Sequence, residues 1–176
     1  MKKIYIVLSQ SYTILARIIK MITKDKYSHI SISFDEECTK MYTIGRRWTR
    51  WPFSGKYMCE SIYKGVYKLN KNAEILIYEL DVTNYQYKNI KKLLNKYGDS
   101  SKGYNFIGLV LVLFNKKINR EKYYCSEFVY KILSDEKVNI FPKTNDVVKP
   151  MDFTKIKGLN KIYEGKVTDY KIERNK

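Results

Sequence analysis

Two residues have the types and surroundings for covalent chemistry. Cys125 stands in YYCSEFVYKIL, with Phe128, Val129, Ile132 and Leu133 following at +3, +4, +7 and +8. That is the spacing of a helix stripe facing a core, so the cysteine heads a helix where its N-terminus meets the interior. Amide groups and the helix dipole there favour an anion, the state in which a thiol is a nucleophile. The same amides could hold an oxyanion. By position alone, Cys125 is equally a small buried hydrophobe. His29 is the chain's one histidine. In SHISISF it shares a strand face with Ser31 and Ser33, opposite Ile30, Ile32 and Phe34. An imidazole, with an ordinary pKa of about 6.5, can act as a base at neutral pH, and Cys with His is the pair that thiol hydrolases use. A lone strand histidine is also an ordinary satisfied polar residue.

A Cys–His pair needs a third group to orient the ring, an oxygen acceptor on a neighbouring strand. Two residues qualify: Thr43 in KMYTIGRR and Glu60 in YMCESI. Chemistry favours Glu60, because a carboxylate stabilises an imidazolium better than a hydroxyl does. Asp35 and Glu37 read as turn residues, and Glu127 points away from the cysteine's stripe. The segment GRRWTRWPFSGKY adds Arg46, Arg47, Trp48 and Trp51. Guanidinium and indole groups suit anionic or sugar-bearing ligands, or single-stranded nucleic acid. They equally suit a surface loop pinned by two aromatics. These four are candidate substrate-binding residues.

The elements that must position these groups follow from periodicity. Alternation predicts strands over Lys3–Ser9, Ser28–Phe34, Met41–Ile44, Tyr57–Ile62, Gly65–Leu69 and Ala73–Leu80. A helix capped by Ser11 or Thr13 carries the stripe Ile14, Leu15, Ile18, Ile19 and Ile22. Thr83 caps a helix running to Tyr97, Tyr104–Phe114 is an apolar helix, and Ser126–Leu133 is the helix behind the cysteine. Asn139–Pro150 reads as an irregular loop, and Val167–Ile172 as a last strand. Strands first and helices later is the order of an α+β protein.

Composition sets the outer bounds. The chain has 176 residues, enough for one domain over 1–176, and 44% hydrophobic residues, enough for a core. Its formal net charge of +16 favours anionic partners, although abundant Lys, Ile, Asn and Tyr also fit a biased base composition in the encoding genome. Three cysteines without CxxC spacing, and one histidine, argue against a disulfide framework or a zinc site, so neither metal nor cofactor is expected. The opening MKKIYIVLSQSYT alternates and lacks a cleavage site, so it reads as a strand and not a signal peptide. Phe106–Phe114 falls short of the roughly 18 residues that span a bilayer. No transmembrane anchor and a cytoplasmic location are the expectations.

The residues above also resemble a known family. KYSHISISF, MYTIGRR (similar to a YSFGR segment), GKYMCESI and YYCSEFVYKIL, with the closing KIYEGKVTDYKI, resemble the bacterial YiiX-like, circularly permuted members of the NlpC-like papain-fold superfamily. The likeness runs over residues 2–172. In that family the histidine precedes the cysteine, as His29 precedes Cys125. The resemblance implies an antiparallel sheet packed against helices, with the cysteine at a helix N-terminus. It implies Cys125 as nucleophile and His29 as base of a cysteine peptidase or amidase, with a peptide or acyl-type substrate, while the third residue varies across the superfamily. Lipid acyltransferases and lipases share the fold. A non-catalytic binder of anionic polymer or nucleic acid is the alternative that the charge supports.

Overall fold

The computed structural model describes residues 1–10, 24–46, 55–98, 125–138, 140–142 and 148–174. Six strands form one sheet: β1 (Lys2–Gln10), β2 (His29–Ser33), β3 (Met41–Arg46), β4 (Gly55–Glu60), β5 (Glu74–Val82) and β6 (Leu159–Lys166). They lie in the order β4-β3-β2-β1-β5-β6, and every neighbouring pair is antiparallel. The helices are α1 (Gly65–Leu69), α2 (Asn84–Gly98), α3 (Cys125–Asp135) and α4 (Val167–Arg174), with a 3-10 turn at Pro150–Lys155.

Period-two alternation divides the apolar residues between two cores, one on each face of the sheet. Ile4, Ile6, Leu8, Ile30, Ile32 and Ile44 meet α2 through Ile90 and Leu94, and α3 through Phe128, Val129, Ile132 and Leu133. Tyr5, Val7, Met41, Ile75 and Ile77 meet Tyr67 of α1 and Val167 and Tyr170 of α4. With both faces covered, central β1 is buried from Ile4 to Gln10. Phe128 fixes α3 to its neighbours by edge contacts with Tyr57 at 5.9 Å and Tyr97 at 5.2 Å. Such aromatic pairs add about 0.5–1.5 kcal/mol beyond area burial. Thr83 begins α2 with a capping box: Gln86 N–H donates to Thr83 Oγ1 at 3.1 Å, and Thr83 N–H to Gln86 Oε1 at 2.9 Å.

The chain is thus α+β with an antiparallel sheet, as its pattern predicts, but two elements differ. Gly65–Leu69 is a helical turn, not a strand. Five residues are too few for a period of 2 to be told from one of 3.6. Gly65 enters the turn at φ +58°, a conformation glycine adopts cheaply. Val167–Ile172 is likewise helical: Val167 and Tyr170 are buried three residues apart. Tyr170 OH donates to Glu36 O at 2.7 Å. The last strand is instead β6, whose pairing with β5 shifts register at Ile77/Tyr78. A bulge breaks strict alternation there and hides the strand from a period-two search. The expected helices over Ile14–Ile22 and Tyr104–Phe114, and half of the expected loop over Asn139–Pro150, lie outside the described residues. Among the described residues no helix is long and apolar enough to cross a membrane.

Candidate active site

β2 opens with His29, and α3 with Cys125. The pairing between β2 and β3 is confined to Ile32↔Tyr42 and Ser33↔Met41, so His29 lies beyond the point where the strands part. α3 packs against β2 and β3 on one face, and its stripe buries Cys125 (5% exposed) at the head of Phe128, Val129, Ile132 and Leu133. Ser126, the next residue, donates from Oγ to Val148 O at 2.6 Å and ties the helix's first turn to the chain before the 3-10 turn.

Glu60, the last residue of β4, reaches His29 across β3. Its Oε2 lies 3.1 Å from His29 Nε2, with side-chain exposures of 12% and 21%. An ionised carboxylate can only accept, so Nε2 carries the proton of this bond. That leaves Nδ1 as the ring's second nitrogen, and Cys125 is among the groups that influence the ring's titration. Burial by itself would pull the pKa of His29 down. The Glu60 charge, the Cys125 charge and hydrogen bonds from both hold it well above the ordinary 6.5.

The crossing of β3 depends on Gly45. Met41, Thr43 and Gly45 share a face with Glu60 and Met58 through the β3–β4 register. A Cβ on Gly45 would stand 2.8 Å from Met58 Sδ, 3.6 Å from Glu60 Oε1 and 3.8 Å from His29 Cε1. The glycine leaves the space in which carboxylate and ring meet. Periodicity does not single it out, since a strand glycine signals close approach only once its neighbours are known.

Thr43, the other candidate for orienting the ring, is used elsewhere. Its hydroxyl donates to Ile30 O at 2.8 Å, with Ile44 O at 3.4 Å. It thereby bridges β2 and β3 where the ladder has stopped, and the fully buried side chain has a structural role. Arg46 ends β3, its backbone opposite Gly55; its side chain, and Arg47, Trp48 and Trp51, lie outside the described residues.

Two polar residues absent from the sequence-based set stand close by. Ser31, 1% exposed, donates from Oγ to Glu60 Oε2 at 3.3 Å. Tyr67 of α1 pairs its OH with Ser9 Oγ at 2.8 Å, and Ser9 is the β1 residue directly opposite His29. Burial pushes the Tyr67 hydroxyl well above its usual pKa, and the nearby charges of Glu60 and Cys125 add to this. Tyr67 went unseen because its segment reads as a strand. Ser31 was visible on the histidine's face, with nothing to say what it bonded.

No family model and no curated protein matches the sequence. The structure is similar to the crystal structure of the metalloprotein YiiX from Escherichia coli O157:H7, with TM-score 0.60 and 13% identity over 93% of this chain and 97% of that one. At that identity the likeness is one of fold: the chain has a YiiX-like fold of antiparallel sheet and helices.

Proposed function

We propose that the protein is a thiol hydrolase of the permuted papain-like, NlpC-like type, cleaving an amide or ester bond. The observation that carries this reading is the 3.1 Å contact of Glu60 Oε2 with His29 Nε2, on a ring whose pKa the Cys125 charge at the head of α3 also helps to raise. His29 precedes Cys125 along the chain, the order of the permuted arrangement.

Glu60 holds the Nε2 proton and so leaves the Nδ1 lone pair for the thiol. His29 takes the proton of Cys125, and the thiolate sulfur attacks the carbonyl carbon. Amides in the first turn of α3 stabilise the oxyanion. As the tetrahedral intermediate collapses, the C–N or C–O bond breaks and His29 returns its proton to the departing amine or alcohol. Water then attacks the thioester with His29 as base, releasing the acid and restoring the thiol. The positive charge of the chain favours an anionic peptide or acyl substrate.

YiiX is a metalloprotein, but the donors here do not fit a metal. Among the described residues no group of three or more His, Cys, Asp and Glu could hold one. Cys125 and Glu60 address one imidazole instead of converging on a common point.

Alkylation with iodoacetamide at pH 7, read by peptide mass spectrometry in the wild type and in His29→Asn, tests the pair. A free cysteine is only a few per cent thiolate at that pH, so loss of His29 slows modification of Cys125 by about tenfold or more. Equal rates would remove the basis for a hydrolase and favour a non-catalytic binder of anionic polymer, whose affinity would fall steeply with salt.

A further inference from the structure

The same carboxylate oxygen of Glu60 has two donors, and only one of them belongs to the reacting pair. Oε2 lies 3.1 Å from His29 Nε2 and 3.3 Å from Ser31 Oγ. Ser31 sits two residues beyond His29 on β2, so both side chains leave the same face of one strand, and Glu60 comes to them from β4 over Gly45. Ser31 is 1% exposed, whereas the Glu60 side chain keeps 12% of its exposure. The hydroxyl is therefore the fixed member of this contact and the carboxylate the movable one. Glu60 ends its strand and has a route to water, and a carboxylate free to turn toward water would leave the ring. A buried hydroxyl also needs a partner, and Glu60 Oε2 is the acceptor that Ser31 finds.

We propose that Ser31 is a positioning residue of the site, a hydroxyl that pins Glu60 Oε2 against His29 Nε2 and acts on the ring only through that carboxylate. The proposal rests on the reading of His29 as the base and deepens it. It explains why a carboxylate at the end of a strand can be held against a histidine two strands away.

The chain's one histidine gives a direct readout that needs no substrate. The ring Cε1–H signal of His29 can be followed by NMR against pH in wild type, Ser31→Ala, Glu60→Gln and the double variant. The charged groups facing the ring are Glu60 from β4 and Cys125 from α3, with the Tyr67 hydroxyl of α1 close to both charges. A hydrogen bond to a charged group is worth roughly one to two pH units at full strength. At 3.3 Å the bond is long, so the expected fall in the His29 midpoint for Ser31→Ala is about half a pH unit. In the Glu60→Gln background the same substitution should change nothing further.

A Ser31→Ala midpoint equal to that of the wild type would overturn the proposal. So would a rise, which would mean that the hydroxyl competes with the ring for the oxygen. An equal fall in both backgrounds would overturn it as well, since Ser31 would then act on the ring without Glu60. If Ser31→Ala does not fold, Ser31→Cys carries the same cycle, with a weak donor in nearly the same volume. The hydrolase reading fails separately, when Cys125→Ala and Glu60→Gln both leave the His29 midpoint unmoved.

Discussion

His29 Nε2 and Glu60 Oε2 lie 3.1 Å apart although a whole strand, β3, separates the strands that carry them. The contact holds the His29 pKa well above 6.5 against the opposing effect of burial. Glu60→Gln keeps the shape and removes the charge. Its expected effect is to lower the His29 midpoint by about one to two pH units, the equivalent of one charge-assisted hydrogen bond. NMR titration of the ring checks this.

The raised pKa also makes a statement about stability. A histidine whose folded pKa exceeds its unfolded value contributes stability that is fully present below the unfolded pKa, about 6.5, and is lost as pH rises through the folded value. The protein should therefore lose thermal stability as pH rises above neutrality through the elevated His29 midpoint. In Glu60→Gln that loss should be smaller and complete nearer pH 6.5. Tm measured across this range checks the prediction; the same profile in both proteins would contradict it.

Gly45 sets the clearance between ring and carboxylate. In Gly45→Ala the new methyl collides with Met58 Sδ, which stands 2.8 Å from the Cβ position, and touches Glu60 and His29 at ordinary distances. The thioether can move, so the cost should be modest, on the order of 1 kcal/mol. Gly45→Leu has no such outlet and should separate Glu60 from His29. Its His29 midpoint should fall about as far as in Glu60→Gln, as NMR would record.

The three free cysteines should react very unequally. Burial pushes the Cys38 thiol far up, with the Asp35 charge adding to it, and burial also raises Cys59 despite the opposing Lys40 charge. At pH 7 both should remain thiols. Brief alkylation should then label the peptide containing Cys125 first, and Cys38→Ser and Cys59→Ser should leave that rate unchanged. Prior labelling of Cys59, the exposed thiol, would contradict this ordering.

The stripe behind Cys125 and the alternation around His29 were legible because each is a long, regular pattern with one buried face, and β1, β2, β5 and α2 follow in the same way. Glu60 was legible as a carboxylate on a strand, but its contact with His29 was not. That contact depends on the strand order and on an absent side chain at Gly45, two facts no local periodicity contains. Thr43 has a polar type and a place near the ring that suit either role. Only the position of the Ile30 carbonyl decides that its hydroxyl closes a gap between strands. Tyr67 was hidden because its helical turn is shorter than either period needs, and β6 because a bulge shifts its alternation midway.

The most direct measurement on the central claim is the intact mass of the protein quenched in acid during turnover of p-nitrophenyl acyl esters. An acyl increment is expected on the peptide containing Cys125, released by hydroxylamine and absent from Cys125→Ala. His29→Asn should slow its formation by about a hundredfold or more. Ester cleavage that persists in Cys125→Ala, or an acyl group carried on another residue, would contradict it.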